Sequence, residues 1–225
     1  MGVSIEMLLR NNMEHPIKHF ITIAGNIGVG KSTLVSLLSK MLGWEPTYEA
    51  FEENPFLSDF YEDMSRWGFH SQVFFMSKRM QQHYTLQQKQ ITVIQDRSIY
   101  EDAEIFARNL FNQGHMSERE WMTYKEIYFS LSKILSPPNL VVFLKASVPT
   151  LMKRIAKRGR DYELSISVEY LSHLNDLYDK WISEFKICPV LTIETDELDY
   201  LHNESQLNMI VTKISERLHG NETLV

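Results

Sequence analysis

Apolar and polar positions along this chain follow two rhythms. Four short runs, FITIAG (20–25), ITVIQD (91–96), LVVFLKA (140–146) and VLTIE (190–194), are predominantly apolar, the pattern of buried strands. A weaker run at EPTYE (45–49) supplies a fifth. Between the runs, Leu34, Leu37, Leu38, Met41 and Leu42 fall on one stripe at helical spacing. So do Leu171, Leu174, Tyr178, Trp181, Ile182 and Phe185, and again Leu207, Ile210, Val211, Ile214 and Leu218. The stretch from Arg66 to Gln90, rich in Gln, Met and aromatic residues, reads as one long helix whose inner face either lines a cleft or simply joins the core. Strands alternating with helices predict an α/β fold with a five-stranded parallel sheet flanked by helices. With no repeat or flexible linker, the organised pattern runs as one domain over 20–225, after an N-terminal extension at 1–19.

Composition narrows the function classes. A chain of 225 residues with 44% hydrophobic and 23% charged residues suits one globular unit. Its formal net charge of −6 argues against a nucleic-acid partner and favours a small ligand. Cys188 is the single cysteine, so neither a disulfide nor a thiolate metal cage is expected, consistent with a reducing compartment. No apolar run reaches signal-peptide or membrane-spanning length, and the sequence predicts a cytoplasmic protein without a membrane partner.

The chemistry is concentrated in a few places. Gly25-Asn26-Ile27-Gly28-Val29-Gly30-Lys31-Ser32 fits G-x-x-x-x-G-K-[ST], follows an apolar strand and opens an amphipathic helix, with Thr33 next. Such a loop wraps backbone N–H groups around phosphates, with Lys31 reaching the β/γ-phosphates and Ser32 ligating Mg²⁺. Asp96 and Arg97 stand at the carboxyl end of a buried run, where parallel sheets bind ligands, and Asp96 is placed to support Mg²⁺; a helix cap beside a surface arginine is the plainer reading. Lys153, Arg154, Lys157, Arg158 and Arg160 form a basic cluster in an acidic protein, either a solvated helix end or a lid hinged at Gly159 that closes over a transferring phosphoryl group. A carboxylate near the phosphate loop can take a proton from an attacking hydroxyl, and Glu49, Glu52 and Glu53 all qualify.

The segments GNIGVGKST (25–33), YEAFEENPFL (48–57), RWGFHSQVFFMSKR (66–79), QDRSIYED (95–102) and KRIAKRGRDYE (153–163) stand in the order found in deoxynucleoside kinases. From Phe20 to the last helix the chain resembles that family, the bacterial deoxyadenosine/deoxycytidine kinases most of all. The resemblance implies a P-loop kinase fold with an Arg-rich lid at about 154–164, and transfer of phosphate from ATP-Mg²⁺ to the 5′-hydroxyl of a deoxynucleoside. It implies Glu49 as general base and Arg97 as the group holding that oxygen. Tyr61 and Glu163 would bind the sugar 3′-hydroxyl, while Gln72, Arg79 and Asp102 read the base, with adenine and cytosine favoured, guanine possible and thymine poor. Arg154, Arg158 and Arg160 would be lid arginines, Asp199 and Tyr200 would lie near the ATP adenine, and the assembly would be a homodimer. Two departures stand out: Ala50 follows Glu49 where most relatives have proline, and Asp96 replaces the glutamate of many animal relatives.

Two rivals share the phosphate loop. A nucleoside monophosphate kinase needs further arginines for its acceptor phosphate. A regulatory GTPase needs Asp-x-x-Gly and Asn-Lys-x-Asp motifs, which this sequence lacks.

Overall fold

The computed structural model describes residues 18–51, 53–160, 163 and 166–220. The expected extension at 1–19 therefore falls almost wholly outside the described residues, as do Glu52 and part of the expected lid. Five strands, β1 (Phe20–Gly25), β2 (Glu45–Thr47), β3 (Val93–Asp96), β4 (Leu140–Lys145) and β5 (Val190–Glu194), form one sheet in the order β2-β3-β1-β4-β5. Every pairing is parallel. The predicted α/β class and strand number hold.

The central strands β1, β3 and β4 are buried along nearly their whole length, polar Thr22, Gln95 and Asp96 included. Ile21, Ile23, Ile94, Val141 and Val142 have no exposed surface. At one edge β2 tolerates Pro46, whose missing N–H needs no outer partner there. Three strands are shorter than the apolar runs suggest, β4 by the single residue Ala146 and β3 and β2 by two each. Ile91 is exposed, and Thr92 gives its backbone carbonyl to Glu45 N–H before β3 begins. Tyr48 and Glu49 leave β2 for a loop, which frees the Glu49 side chain to face the centre of the molecule.

Helix α1 (Lys31–Leu42) buries Leu34, Leu38 and Leu42 of its predicted stripe together with Val35, while Leu37 and Met41 are half-buried against the core. A short α2 (Leu57–Glu62) precedes the long α3 (Met64–Leu86), whose N-cap Asp63 accepts from Arg66 N–H. After β3 a helix at 99–112, α4, starts in a Ser98/Glu101 capping box and passes through a π-helical stretch, Asp102–Ala107. Among the described residues the remaining α-helices are α5 (Glu118–Ser132), α6 (Val148–Arg158), α7 (Val168–Glu184) and α8 (Glu204–His219).

β1 and β3 are neighbours in register, Ile23 beside Asp96, and β1 lies between the earlier pair β2 and β3 on one side and the later pair β4 and β5 on the other. The loops after their carboxyl ends, Gly25–Gly30 and Arg97–Ser98, therefore meet at the switch point where open parallel sheets bind ligands.

Candidate active site

The phosphate loop requires backbone that only glycine adopts freely. Gly28 and Gly30 have φ of 82° and 109°, and a Cβ on Gly28 would stand 2.7 Å from Ile155 Cγ1. α1 opens directly from Gly30, aiming its first N–H groups into the loop. Lys31 Nζ donates to the Gly25 and Asn26 carbonyls at 2.9 and 3.0 Å. Burial, reinforced by the Arg97 charge, lowers the Lys31 ammonium to about 8 against the pull of Asp96, Glu101 and Glu49. Ser32 Oγ donates to Asp96 Oδ2, while Asp96 Oδ1 is buried without a hydrogen-bond partner. An unsatisfied buried carboxylate oxygen beside a hydroxyl is a fitting pair of donors for a hard cation that keeps phosphate and water as its other ligands.

Across the crevice lies a buried ion network. Glu49 Oε1 accepts from Arg79 Nη2 at 2.9 Å and lies 3.1 Å from Arg97 Nε, in ion-pair contact but off a hydrogen-bonding line. Burial pushes the Glu49 carboxyl up, yet Arg97, Arg79 and Lys31 outweigh it and hold it below the ordinary range. Arg79 also donates to Asp102 Oδ2 at 3.2 Å and to the Asp96 carbonyl at 2.8 Å. Arg97 is the one non-glycine residue with positive φ, 68°, among the described residues. That strain, at the end of β3, turns its guanidinium toward Glu49 and over the Phe106 ring at 4.2 Å.

A cleft opens above this network. Its wall includes Ile27 of the phosphate loop, Glu49, Gln72, Arg97, Asp102 and Phe106. Phe51, Tyr61, Phe75 and Tyr170 complete much of the wall. The structure thus brings Glu49, Tyr61, Gln72, Arg97 and Asp102 together. Arg79, expected to face the same cleft as Gln72, is not in that wall; it lies buried behind it, with its donors committed to Asp102, Asp96 and Glu49. Glu163 is likewise outside the wall, buried and paired with Arg158 and Arg160.

On the basic side, Gly159 caps α6 with φ 66°, at the expected hinge. Arg154 is tied to the Val29 carbonyl of the phosphate loop and to Thr195 just beyond β5. Arg160 stands over Phe51 at 5.7 Å. Asp199 is exposed and bonded to His202, whereas Tyr200 is buried with its hydroxyl donating to the Gly30 carbonyl.

The sequence reading passed over Glu101 and the polar end of Tyr178. Glu101 has no exposed surface and binds both the Gly25 N–H and Ser98. The spacing Ser98-x-x-Glu101 is a capping-box signal and marks it. Tyr178 is indistinguishable from its apolar neighbours by periodicity, and nothing in the pattern shows where its hydroxyl goes.

Comparison with known proteins bears on this geometry. The deoxynucleoside kinase family model matches residues 21–219. Deoxyadenosine/deoxycytidine kinase of Bacillus subtilis (strain 168) is 36% identical over 211 residues, spanning 92% of this chain and 96% of that protein. Deoxyguanosine kinase of the same organism is 34% identical over 207 residues, spanning 88% and 96%. Among solved structures, deoxyadenosine kinase from M. mycoides with bound dATP superimposes with a TM-score of 0.78 at 30% identity, over 88% of this chain and 99% of that one.

Proposed function

The chain belongs to the deoxynucleoside kinase family and is an ATP-dependent deoxynucleoside kinase; from that premise we propose that it phosphorylates the 5′-hydroxyl of deoxyadenosine and deoxycytidine in preference to deoxyguanosine, with thymidine a poor substrate. The observation that supports this most directly is a single cleft whose wall holds Ile27 of the phosphate loop, Glu49, Arg97, Gln72 and Asp102 together.

In this reading Gly25 to Thr33 cradle the ATP phosphates, and Lys31 exchanges its carbonyl partners for phosphate oxygens. Ser32 and Asp96 would hold Mg²⁺, which neutralises phosphate charge when bound. Both ion pairs of Glu49 use Oε1, and Oε2 is the atom assigned to the 5′-hydroxyl. A carboxyl held low is a weak base. It is also ionised at neutral pH, and phosphoryl transfer through a loose transition state demands positioning of the hydroxyl more than early removal of its proton. Arg97 holds the same oxygen, and Arg154, Arg158 and Arg160 surround the transferring group as the lid closes over about 154–164.

Tyr61, with Glu163 brought in by the lid, holds the 3′-hydroxyl. Gln72 both donates and accepts, matching the ring nitrogen and exocyclic amine shared by adenine and cytosine. Asp102 accepts from that amine, and Arg79 orients Asp102 from behind. Thymine presents a carbonyl there and meets an acceptor, a mismatch that buried polar sites reject strongly. Asp199 and Tyr200 stand beside the phosphate loop, Tyr200 through Gly30, and are assigned to the adenine side of ATP. A monophosphate acceptor is disfavoured because Arg97 is the only cation in the cleft wall among the described residues, and it is engaged by Glu49.

A homodimer joined through helices beside the sheet fits the exposed Met122 and Phe129 of α5. The lone cysteine supports a cytosolic setting. The site assignment is tested by Glu49→Gln. Loss of kcat by about 10²–10⁴-fold with a native circular dichroism spectrum is expected, and wild-type kcat would remove Glu49 from the chemistry.

A further inference from the structure

The donor and acceptor halves of the site come from different loops, yet phosphoryl transfer requires them in fixed register. One buried carboxylate touches both. Glu101 Oε1 accepts from the Gly25 N–H at 3.1 Å and from the Tyr178 hydroxyl at 2.8 Å. Its Oε2 accepts from the Ser98 N–H at 2.8 Å and the Ser98 hydroxyl at 3.1 Å. Gly25 begins the phosphate loop, and Ser98 directly follows the strained Arg97. The Tyr178 hydroxyl completes a ring, lying 2.9 Å from the Gly25 carbonyl that also takes Lys31 Nζ, and accepting from Arg97 Nη1 at 3.1 Å. Its proton has two acceptors in reach, the Gly25 carbonyl and Glu101 Oε1.

A helix cap alone needs only the Oε2 half of this arrangement. The Oε1 half serves nothing in α4; it reaches across to β1 and α7. We propose that Glu101 and Tyr178 form a brace that positions the Gly25 end of the phosphate loop and the Arg97 turn relative to one another, so that Lys31 and Arg97 meet opposite ends of the transferring phosphoryl group. Neither residue lines the cleft, so both act through Lys31 and Arg97 as positioning residues. The inference rests on the roles assigned above to Lys31 and Arg97.

Two substitutions separate the brace from its surroundings. Tyr178→Phe keeps the ring stacked on Phe143 and removes only the hydroxyl. Glu101→Gln keeps the shape but turns one amide nitrogen toward groups that are themselves donors. Because register matters at the transition state and not for binding either substrate alone, kcat should fall about tenfold or more in each variant, while KM for ATP and for deoxyadenosine moves less than threefold. If the two act as one unit, the double variant loses no more than the worse single one.

The experiment is steady-state kinetics on these three variants beside Arg97→Lys, with thermal melts to confirm folding. Should Glu101→Gln fail to fold, Tyr178→Phe decides alone. A folded Tyr178→Phe with kcat within twofold of wild type overturns the brace, as does a rise in one KM with kcat retained, or effects that multiply in the double variant. Full activity in Arg97→Lys would instead strike at the assigned role of Arg97, which keeps the two failures apart.

Discussion

Asp102 interacts with charged and phenolic groups of several elements: Arg79 of α3, Glu49 of the loop after β2, Arg97 after β3, and Tyr124 and Tyr128 of α5. Burial raises its carboxyl to about 6, with Glu49 adding to the rise and Arg79 and Arg97 opposing it. Ionised, it accepts from the amine of adenine or cytosine; protonated, it can donate to the carbonyl of guanine. The ratio of kcat/KM for deoxyguanosine over deoxyadenosine should therefore rise as pH falls from about 7.5 to 5.5. Asp102→Asn, a donor at every pH, should raise that ratio severalfold and flatten its pH dependence. A wild-type ratio independent of pH would show that Asp102 does not read the base. The same shift has a stability sign. With the folded value raised from 3.8 to about 6, the contribution of Asp102 to stability is complete below the lower value and is lost as pH rises through the upper one. Arg79→Met is a poor probe of base reading, because Arg79 also contacts Glu49 and its loss would disturb the chemistry.

At the scale of elements, the phosphate loop depends on α6 as much as on its own glycines. Gly28 lies at φ 82° with Ile155 Cγ1 and the Leu151 carbonyl where a Cβ would go. Gly28→Ala should raise KM for ATP about tenfold or more while leaving KM for deoxyadenosine within threefold, since Gln72 and Tyr61 belong to other elements. Equal effects on both substrates would mean that the loop carries no donor-specific role. The elements best read from sequence were those with a single environment: β1 and β5 match their apolar runs residue for residue, α8 buries its whole stripe, and α1 and α7 bury the greater part of theirs, Phe185 falling just past the end of α7. α5 went unread because its buried Trp121, Tyr124 and Tyr128 are spaced among charged residues, although Ser117-x-x-Glu120 announces its start. The position of Arg79 behind the cleft wall was equally illegible. Spacing places it on the same side of α3 as Gln72, but its depth is set by Asp102 and Glu49, which come from distant sequence.

Across the whole molecule, the phosphate loop and Asp96 were legible because local backbone dictates them, whereas Glu49 could be chosen among neighbouring acids only through resemblance and is distinguished physically by its ion pairs with Arg79 and Arg97. The outer surface carries one further expectation. Met122 and Phe129 are seven residues apart, two turns along one face of α5, and both are exposed. Sedimentation equilibrium should give twice the chain mass of 26.5 kDa for the wild type and a monomer for Phe129→Glu; a monomeric wild type would remove the dimer. The central claim, that this cleft selects a neutral deoxynucleoside by its exocyclic amine, is tested most directly by initial rates with ATP and Mg²⁺ for the four common deoxynucleosides side by side, with dAMP as a further acceptor. Deoxyadenosine and deoxycytidine should give the highest kcat/KM, deoxyguanosine a lower one, and thymidine about 10²-fold less or worse. Thymidine matching deoxyadenosine, or dAMP outpacing all four, would contradict it.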